Sequence, residues 1–262
     1  MKVHSHVQVP KLILKSFCDE NENQKRIWYL DIATGQIKKE SKKILGTSVG
    51  YYSQDIEKFW NNTIEDSLGK LKTRIQNCVS SKNDIILWCE KDVQTIRRYF
   101  KSASVRSNLA NKSFKENTKV SRVASQQELN DSLAEISMSQ VNVFDDIIDS
   151  YYIGVLINQT EKSLVVPRNC YYAYYNDLIA PLSPDCAIIL SQNEQIQNKI
   201  IAIDNSSEID IMNIMALKYE FLFNEDFVAT NNYDDLVYLR DILEQNRFMF
   251  EKMKKQTETT NE

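Results

Sequence analysis

The pattern of apolar residues changes once, near residue 150, and this change limits the folds that the chain can adopt. Before it, apolar residues recur at helical spacing over about 54–79, 84–100 and 126–149. After it come short β-branched or aromatic runs typical of strands, namely "YYIGVLINQ", "SLVVP", "YYAYY" and "DCAIILS". Helical spacing returns over about 206–223 and 233–253. Helices and strands are therefore grouped rather than alternating, which predicts an α+β fold.

The first fifty residues predict a short helix and a hairpin. Pro10 can begin the helix, because its missing N–H costs nothing in a first turn. Leu12, Leu14 and Phe17 would then point into the core. "RIWYLDIATGQIKKES" alternates as two strands around a turn in which Gly35 can take a positive φ. We expect an N-terminal hairpin and helices, then a mixed or antiparallel sheet of short strands with C-terminal helices.

The length of 262 residues is sufficient for a core that needs no disulfides. We expect a single domain over residues 1–253 with one continuous core. A helical half would cover 54–149 and a sheet half 150–253. Residues 254–262, which are polar and terminal, would form a disordered tail.

Composition indicates a cytoplasmic protein that does not contact a membrane. The first residues lack the apolar run of a secretory leader, and no apolar segment is long enough to span a bilayer. The five cysteines form no C-x-x-C pair, which favours free thiols in a reducing compartment. A net charge of −4 gives no support to nucleic-acid binding over the whole surface.

Histidine is scarce, and this limits the catalytic chemistry that the sequence can offer. His4 and His6 are the only two, and on a strand they would share a face and could ligate a metal. Two histidines do not complete a tetrahedral site, so the alternative is a solvated N-terminus. No nucleophile elbow, P-loop or dinucleotide-binding glycine motif is present. We expect no cofactor.

The acidic candidates for catalysis are Asp145, Asp146 and Asp149, with Glu65 as a distant partner. The motif "DDIID" places carboxylates one helical turn apart, a spacing at which they could hold Mg²⁺. The alternative is the solvated end of an amphipathic helix. Glu57 and Glu65 lie ~12 Å apart along a helix, which is too far for both to act on one atom.

The basic candidates for binding lie in the segment from Lys91 to Ala124. It holds nine basic and two acidic residues, whereas residues 125–149 hold six acids and no base. Arg97, Arg98 and Lys101, with aromatic residues between the charges, could contact nucleic acid. In the alternative, the basic segment packs beside the acidic one.

The most aromatic stretch is "NCYYAYYND". On a strand, Tyr171 and Tyr175 would face one way and Tyr172 and Tyr174 the other. Tyrosine on both faces suits a strand with one side at an interface, and cross-strand packing explains it equally well.

Several motifs occur in the order found in one bacterial family. They are "VPKLILKSF" from Val9 to Phe17, "YYSQ" after the hairpin, the pair Glu57 and Glu65, "APLSPDCAIIL", and a later helix carrying Asn213. Together they resemble the domain of unknown function 4238 family. The resemblance covers most of the chain and implies no reaction. Its members look like passengers of phages and mobile elements, which implies a role in phage–host conflict.

Two positions depart from that resemblance. Val7 stands where the family has a histidine, and His6 is one place away. The family's Ser-Asp-Asn-Pro is replaced by "PRNC", with Arg168 in the aspartate's place and Asn169 kept. If that aspartate performs chemistry in relatives, this chain has lost it or moved it. Arg168, Asn169 and Asn213 join the candidate binding residues.

Three functions remain open from the sequence. The first is a recognition or effector module in phage–host conflict that binds a protein or nucleic acid. The second is a metal-dependent hydrolase or nuclease with dispersed carboxylates. The third is a non-catalytic regulatory subunit whose partner is encoded by an adjacent gene. Binding is favoured over catalysis, because no complete catalytic set is apparent.

Overall fold

A computed structural model describes residues 4–6, 9–18, 25–49, 53–106, 128, 130–132, 135, 148–223 and 226–260. The described strands are β1 His4–His6, β2 Arg26–Asp31, β3 Ile37–Ser41, β4 Thr47–Val49, β5 Tyr152–Asn158, β6 Val166–Pro167, β7 Tyr172–Tyr174, β8 Asp177–Ser183, β9 Cys186–Ser191, β10 Ile200–Ile203 and β11 Phe227–Thr230. The main helices are α1 Lys11–Ser16, α2 Gln54–Trp60, α3 Asp66–Ser80, α4 Glu90–Arg106, α5 Ser206–Phe223 and α6 Tyr233–Thr260. The α+β prediction is confirmed.

The short N-terminal helix forms where the proline and the apolar residues predict it. The carbonyl oxygen of Pro10 accepts hydrogen bonds from the N–H groups of Ile13 and Leu14, at 2.9 and 3.2 Å. Leu14 and Phe17 are fully buried. Leu12 is only half-buried, and it lies against Gly69 of α3.

The N-terminal hairpin belongs to a sheet completed by strands from far along the chain. That sheet has the order β3-β2-β11-β6. Strand β2 pairs antiparallel with β11, with Leu30 opposite Val228. This long-range pairing ties the first fifty residues to the C-terminal region.

The second large sheet has the order β10-β5-β9-β8-β7. Strands β5, β9, β8 and β7 are antiparallel neighbours, whereas β10 runs parallel to β5. The sheet is therefore mixed, which is one of the two arrangements, mixed or antiparallel, that the sequence predicts. Gly154 is needed in β5 because a Cβ there would meet Ile196 at 2.7 Å.

Buried side chains form two clusters on the two faces of this sheet. Val155 of β5 belongs to the cluster with α1, α3 and α4, whereas its neighbour Leu156 belongs to the cluster with α5 and α6. This follows from the alternation of side chains along a strand. Tyr219 of α5 packs against both clusters. A single continuous core stays a prediction.

The second predicted helix begins six residues later than expected. Residues 84–88 are extended instead, and the N–H of Ile86 donates to the carbonyl oxygen of Asn198 at 2.8 Å. Ile85 and Leu87 of that apolar run are 50% and 72% exposed. The reason is the period of two in an extended segment, which turns Ile86 and Trp88 inward and their neighbours outward.

The last helix extends beyond its predicted end. Residues 254–260, expected to be part of a disordered tail, are helical in α6. No glycine or proline interrupts the chain from 233 to 260, so nothing in the sequence stops the helix. Among the described helices, none combines the length and hydrophobicity that a membrane crossing requires.

Candidate functional site

Asn169 lies in a buried polar cluster rather than at the surface. Its backbone N–H donates to Oε1 of Glu220 at 3.2 Å, and its Nδ2 donates to the hydroxyl of Tyr219 at 3.3 Å. Asn169 and Glu220 are both buried. The next residue, Cys170, has a φ of +69°, a left-handed conformation that is uncommon outside glycine. Helix α5 therefore holds the backbone at a strained turn before β7.

A tyrosine links this cluster to helix α4. The hydroxyls of Tyr171 and Ser104 lie 2.8 Å apart, and the rings of Tyr171 and Tyr219 pack with centroids 5.8 Å apart. Burial raises the pKa of Tyr171. The pKa of Tyr219 is raised well above its ordinary value, by burial first and then by Tyr171. Both phenols therefore stay protonated at neutral pH and act as hydrogen-bonding groups.

Asn213 and Arg168 also make internal contacts. Oδ1 of Asn213 accepts from the N–H of Val165 at 3.0 Å, and its Nδ2 donates to the carbonyl oxygen of Ser163 at 2.8 Å. Arg168 forms an ion pair with Asp226, just before β11. Both residues thus fasten the chain around β6, and a role for them in binding a partner stays a prediction.

The three basic candidates on α4 have different environments. Arg97 and Lys101 form ion pairs with Asp149, at 3.4 and 3.1 Å. For these residues the arrangement agrees with the alternative in which basic and acidic segments pack together. Arg98 is exposed and lines a cleft between α3 and α4. The basic residues of the Lys91–Ala124 segment beyond Arg106 lie outside the described part of the chain.

The acidic and histidine candidates are only partly placed. Asp145 and Asp146 lie outside the described residues, and Asp149 pairs with α4. Glu65 ends a short π-helical stretch, Asn61–Glu65. His4 and His6 lie in β1, which pairs with β4, but the positions of their side chains are not described. Over the described ranges, no group of three or more His, Cys, Asp or Glu side chains could hold a metal ion.

The aromatic stretch forms the start of a tight hairpin, whose turn we call the aromatic tip (residues 174–177). Tyr172 is fully buried, but Tyr175 lies beyond β7 in the two-residue turn before β8 and is 73% exposed. The alternation expected for a strand through Tyr175 is therefore wrong at this position. Tyr175 has a φ of +54°, and its ring meets that of Tyr174 edge to face at 4.9 Å.

Two acidic residues lie at the aromatic tip, Asp177 within it and Glu208 near it. Asp177 pairs with Tyr174 across the hairpin. The pKa of Tyr174 is raised by burial first, and then by the nearby Tyr175, Glu208 and Asp177. Glu208 is an exposed residue in the first turn of α5. The tip thus places two tyrosine rings close to two acidic side chains.

A comparison with protein-family models matches residues 6–167 to the family described as "Protein of unknown function (DUF4238)". This span is more than half of the 262 residues. The chain belongs to the DUF4238 family. No curated protein and no solved structure matches it.

The DUF4238 match ends with β6, and this boundary separates two groups of candidates. Glu65 and the basic residues of α4 lie within the matched span. The buried cluster around Asn169, the anchoring residue Asn213 and the aromatic tip all follow it. The family description names no reaction, so the function must be inferred from the chemistry of these surfaces.

Sequence reasoning missed Glu220 and Ser104 as partners of the candidate residues. A signal for Glu220 was present, because it lies seven residues after Asn213 in the same helix. Positions i and i+7 share one face of a helix, so two polar residues there indicate a common task. No comparable signal marks Ser104, which reaches Tyr171 only through tertiary packing.

Proposed function

We propose that this DUF4238 protein is a recognition module that binds a protein partner through the aromatic tip. The observation that carries the proposal is Tyr175, a large aromatic residue held at positive φ and left 73% exposed. Two acidic residues support it, Asp177 within the tip and Glu208 near it. The partner would present arginine or lysine side chains to the rings.

The conformation of Tyr175 is unfavourable for folding. Of the two central turn residues, Tyr175 and Asn176, only Tyr175 has a positive φ, a pattern that ordinarily places glycine at the first position. The left-handed region costs a residue with a Cβ about 1–2 kcal/mol. An exposed ring regains little of this by burial. The edge-to-face contact with Tyr174 offsets part of this cost. Stability alone does not account for a tyrosine here, whereas an exposed binding surface does.

The chemistry of the tip favours a cationic partner. Tyrosine is enriched among the residues that dominate protein interfaces, and its ring face attracts arginine and lysine. In the part of the chain that the structure describes, neither Asp177 nor Glu208 has a basic partner within 4.0 Å. Their charges thus remain for an incoming guanidinium or ammonium group.

The cellular setting of this binding is a further part of the proposal. We propose a cytoplasmic protein that takes part in phage–host conflict, supported by the resemblance of its family to passengers of phages and mobile elements. A partner encoded by an adjacent gene, with this chain as its regulatory subunit, would use the same surface. Both settings require the same contact at the tip.

The experiment is a titration of a fluorescently labelled oligo-arginine peptide with the full chain, measured by anisotropy at low salt. Tyr175→Ala should weaken binding by about tenfold, because it removes the ring that receives the cation. Asp177→Asn and Glu208→Gln should weaken it less, since each removes one charge at an exposed site.

Two matched variants control for general effects. Phe248→Ala removes another exposed aromatic ring, 82% exposed on α6, and Glu251→Gln removes an exposed acid on the same helix. Both should bind the peptide like the wild type. If Phe248→Ala loses binding while Tyr175→Ala keeps it, the partner surface is α6 and the proposal is wrong.

A further inference from the structure

A cleft between α3 and α4 is lined by two basic side chains, Lys91 and Arg98, that do not pair with Asp149. It has a volume of about 360 Å³ and is lined by Ser67, Glu90, Lys91, Gln94, Thr95 and Arg98. Lys91 and Arg98 are seven residues apart and so lie on one face of α4, ~10 Å apart along the axis. Both side chains are long enough to reach a group bound between them.

The two cations of the cleft differ from the neighbouring pair Arg97 and Lys101. Arg97 and Lys101 are engaged by Asp149. Within the described ranges, Lys91 and Arg98 have no acidic partner within 4.0 Å. One acid, Glu90, also lines the cleft, and its Oε1 accepts a hydrogen bond from Nε2 of Gln94 at 3.2 Å. The cleft keeps one net positive charge.

Two of the remaining polar groups can donate hydrogen bonds to a bound anion. Ser67 adds a hydroxyl from α3, and Gln94 retains a second amide hydrogen. The hydroxyl of Thr95 donates to the carbonyl oxygen of Lys91 at 2.8 Å, so it supports the helix instead. A guanidinium group offers parallel N–H donors that match two oxygens of a phosphoryl group. This donor set favours an anion with several oxygens.

We propose that the cleft between α3 and α4 binds a small phosphate-bearing ligand, held by Arg98 and Lys91. The volume is near the lower end of ligand sites, which favours a small molecule over a polymer. A nucleic-acid strand gains affinity from many phosphate contacts along an extended basic track. Here the contacts converge on one cleft. The site is separate from the aromatic tip and adds a second binding activity to the proposed protein recognition.

The experiment is an NMR titration of the ¹⁵N-labelled full chain with inorganic phosphate and, separately, with AMP, at constant ionic strength. Amide signals of Ser67, Gln94 and Arg98 should shift in a saturable way at millimolar ligand. Arg98→Gln should weaken binding by about tenfold, because it removes a charged, bidentate contact. Lys91→Gln should weaken it in the same direction.

Glu90→Gln should change the phosphate affinity in the opposite direction. It removes the repelling charge but keeps an oxygen that accepts from Gln94, so it should tighten phosphate binding. Lys70→Gln, an exposed lysine of α3 outside the cleft, is the matched control and should change nothing. The proposal is overturned if no saturable shift occurs, or if Arg98→Gln binds like the wild type. Binding of an oligonucleotide without phosphate or AMP binding would also overturn it, in favour of a strand.

Discussion

Oδ1 of Asn213 accepts a hydrogen bond from the backbone N–H of Val165 at 3.0 Å, while its Nδ2 donates to the carbonyl oxygen of Ser163 at 2.8 Å. One side chain of α5 thus satisfies two backbone groups before β6. Asn213→Ala should lower the free energy of unfolding by about 1–3 kcal/mol, because it leaves buried polar groups without partners. Urea denaturation measures this loss.

Asn246→Ala is the control for that measurement. Nδ2 of Asn246 donates to the carbonyl oxygen of Ile242 within the same helix, in a partly exposed position. Its removal should change the unfolding free energy by less than about 0.5 kcal/mol. Equal losses in the two variants would contradict the anchoring role of Asn213.

The N-terminal helix and the residue that follows it offer a test of burial. Phe17 is fully buried, whereas Leu12 is half-buried. Phe17→Ala should cost about 3–5 kcal/mol of stability, as large-to-small substitutions in a core do. Leu12→Ala should cost clearly less in the same denaturation series. A Phe17→Ala variant that unfolds like the parent would show that this segment contributes nothing to the core.

Two glycines should respond oppositely to alanine. A Cβ at Gly154 would lie 2.7 Å from Cγ2 and 2.9 Å from the backbone oxygen of Ile196, so Gly154→Ala should destabilise by about 1–3 kcal/mol. A Cβ at Gly69 would meet Leu12 at 3.4 Å, an ordinary contact. Gly69→Ala should stabilise by up to about 1 kcal/mol through helix propensity. Thermal unfolding of both variants decides this, and a stabilised Gly154→Ala would refute the packing described here.

The buried carboxyl of Asp235 should make stability depend on pH. Burial raises its pKa above the ordinary 3.8, although Oδ2 accepts from the N–H of Ser163 at 2.9 Å. The folded state therefore binds the proton more tightly than the unfolded state does. Lowering the pH through the range in which Asp235 becomes protonated in the folded state favours folding. Relative to Asp235→Asn, the wild type should gain stability as the pH falls from neutral toward 3.8.

The difference in unfolding free energy between the wild type and Asp235→Asn isolates the contribution of Asp235, because the other titrating groups are common to both. Urea denaturation of each protein at several pH values measures this difference. A stability difference that stays constant with pH, or that falls for the wild type on acidification, would show that burial does not raise the pKa of this carboxyl.

The sequence predicted the elements that are defined by local patterns. The hairpin around Gly35 and helices α3 and α5 follow from apolar periodicity and turn chemistry, which act over a few residues. The pairing of β2 with β11 joins segments about two hundred residues apart, and no local pattern encodes it. The sequence wrongly predicts helix for the extended segment before α4, because a short apolar run alone does not distinguish the helical period of 3.6 residues from the strand period of two.

Candidate residues were harder to predict than elements. The sequence predicts Asn169 and Asn213 as binding residues, whereas in the structure both make buried hydrogen bonds with the backbone. The exposure of Tyr175 depends on where β7 ends, and strand ends are set by tertiary pairing rather than by composition. Lys91 and Arg98 differ from Arg97 and Lys101 through the ion pairs that the latter form with Asp149, a tertiary contact that no local pattern encodes.

Tyr175 connects stability to the proposed function. Tyr175→Gly and Tyr175→Ala both remove the ring, but only glycine relieves the left-handed backbone. The glycine variant should therefore be more stable than the alanine variant by about 1 kcal/mol. A glycine variant that is less stable than alanine would mean that the turn is not strained.

The most direct test of the account is the affinity of Tyr175→Gly for the oligo-arginine peptide, measured by isothermal titration calorimetry against the wild type. The account predicts that this variant, folded and with its turn relaxed, binds about tenfold more weakly or not at all, because the aromatic tip has lost its cation-binding ring. Affinity equal to that of the wild type would contradict the proposal that Tyr175 is the centre of a protein-binding surface.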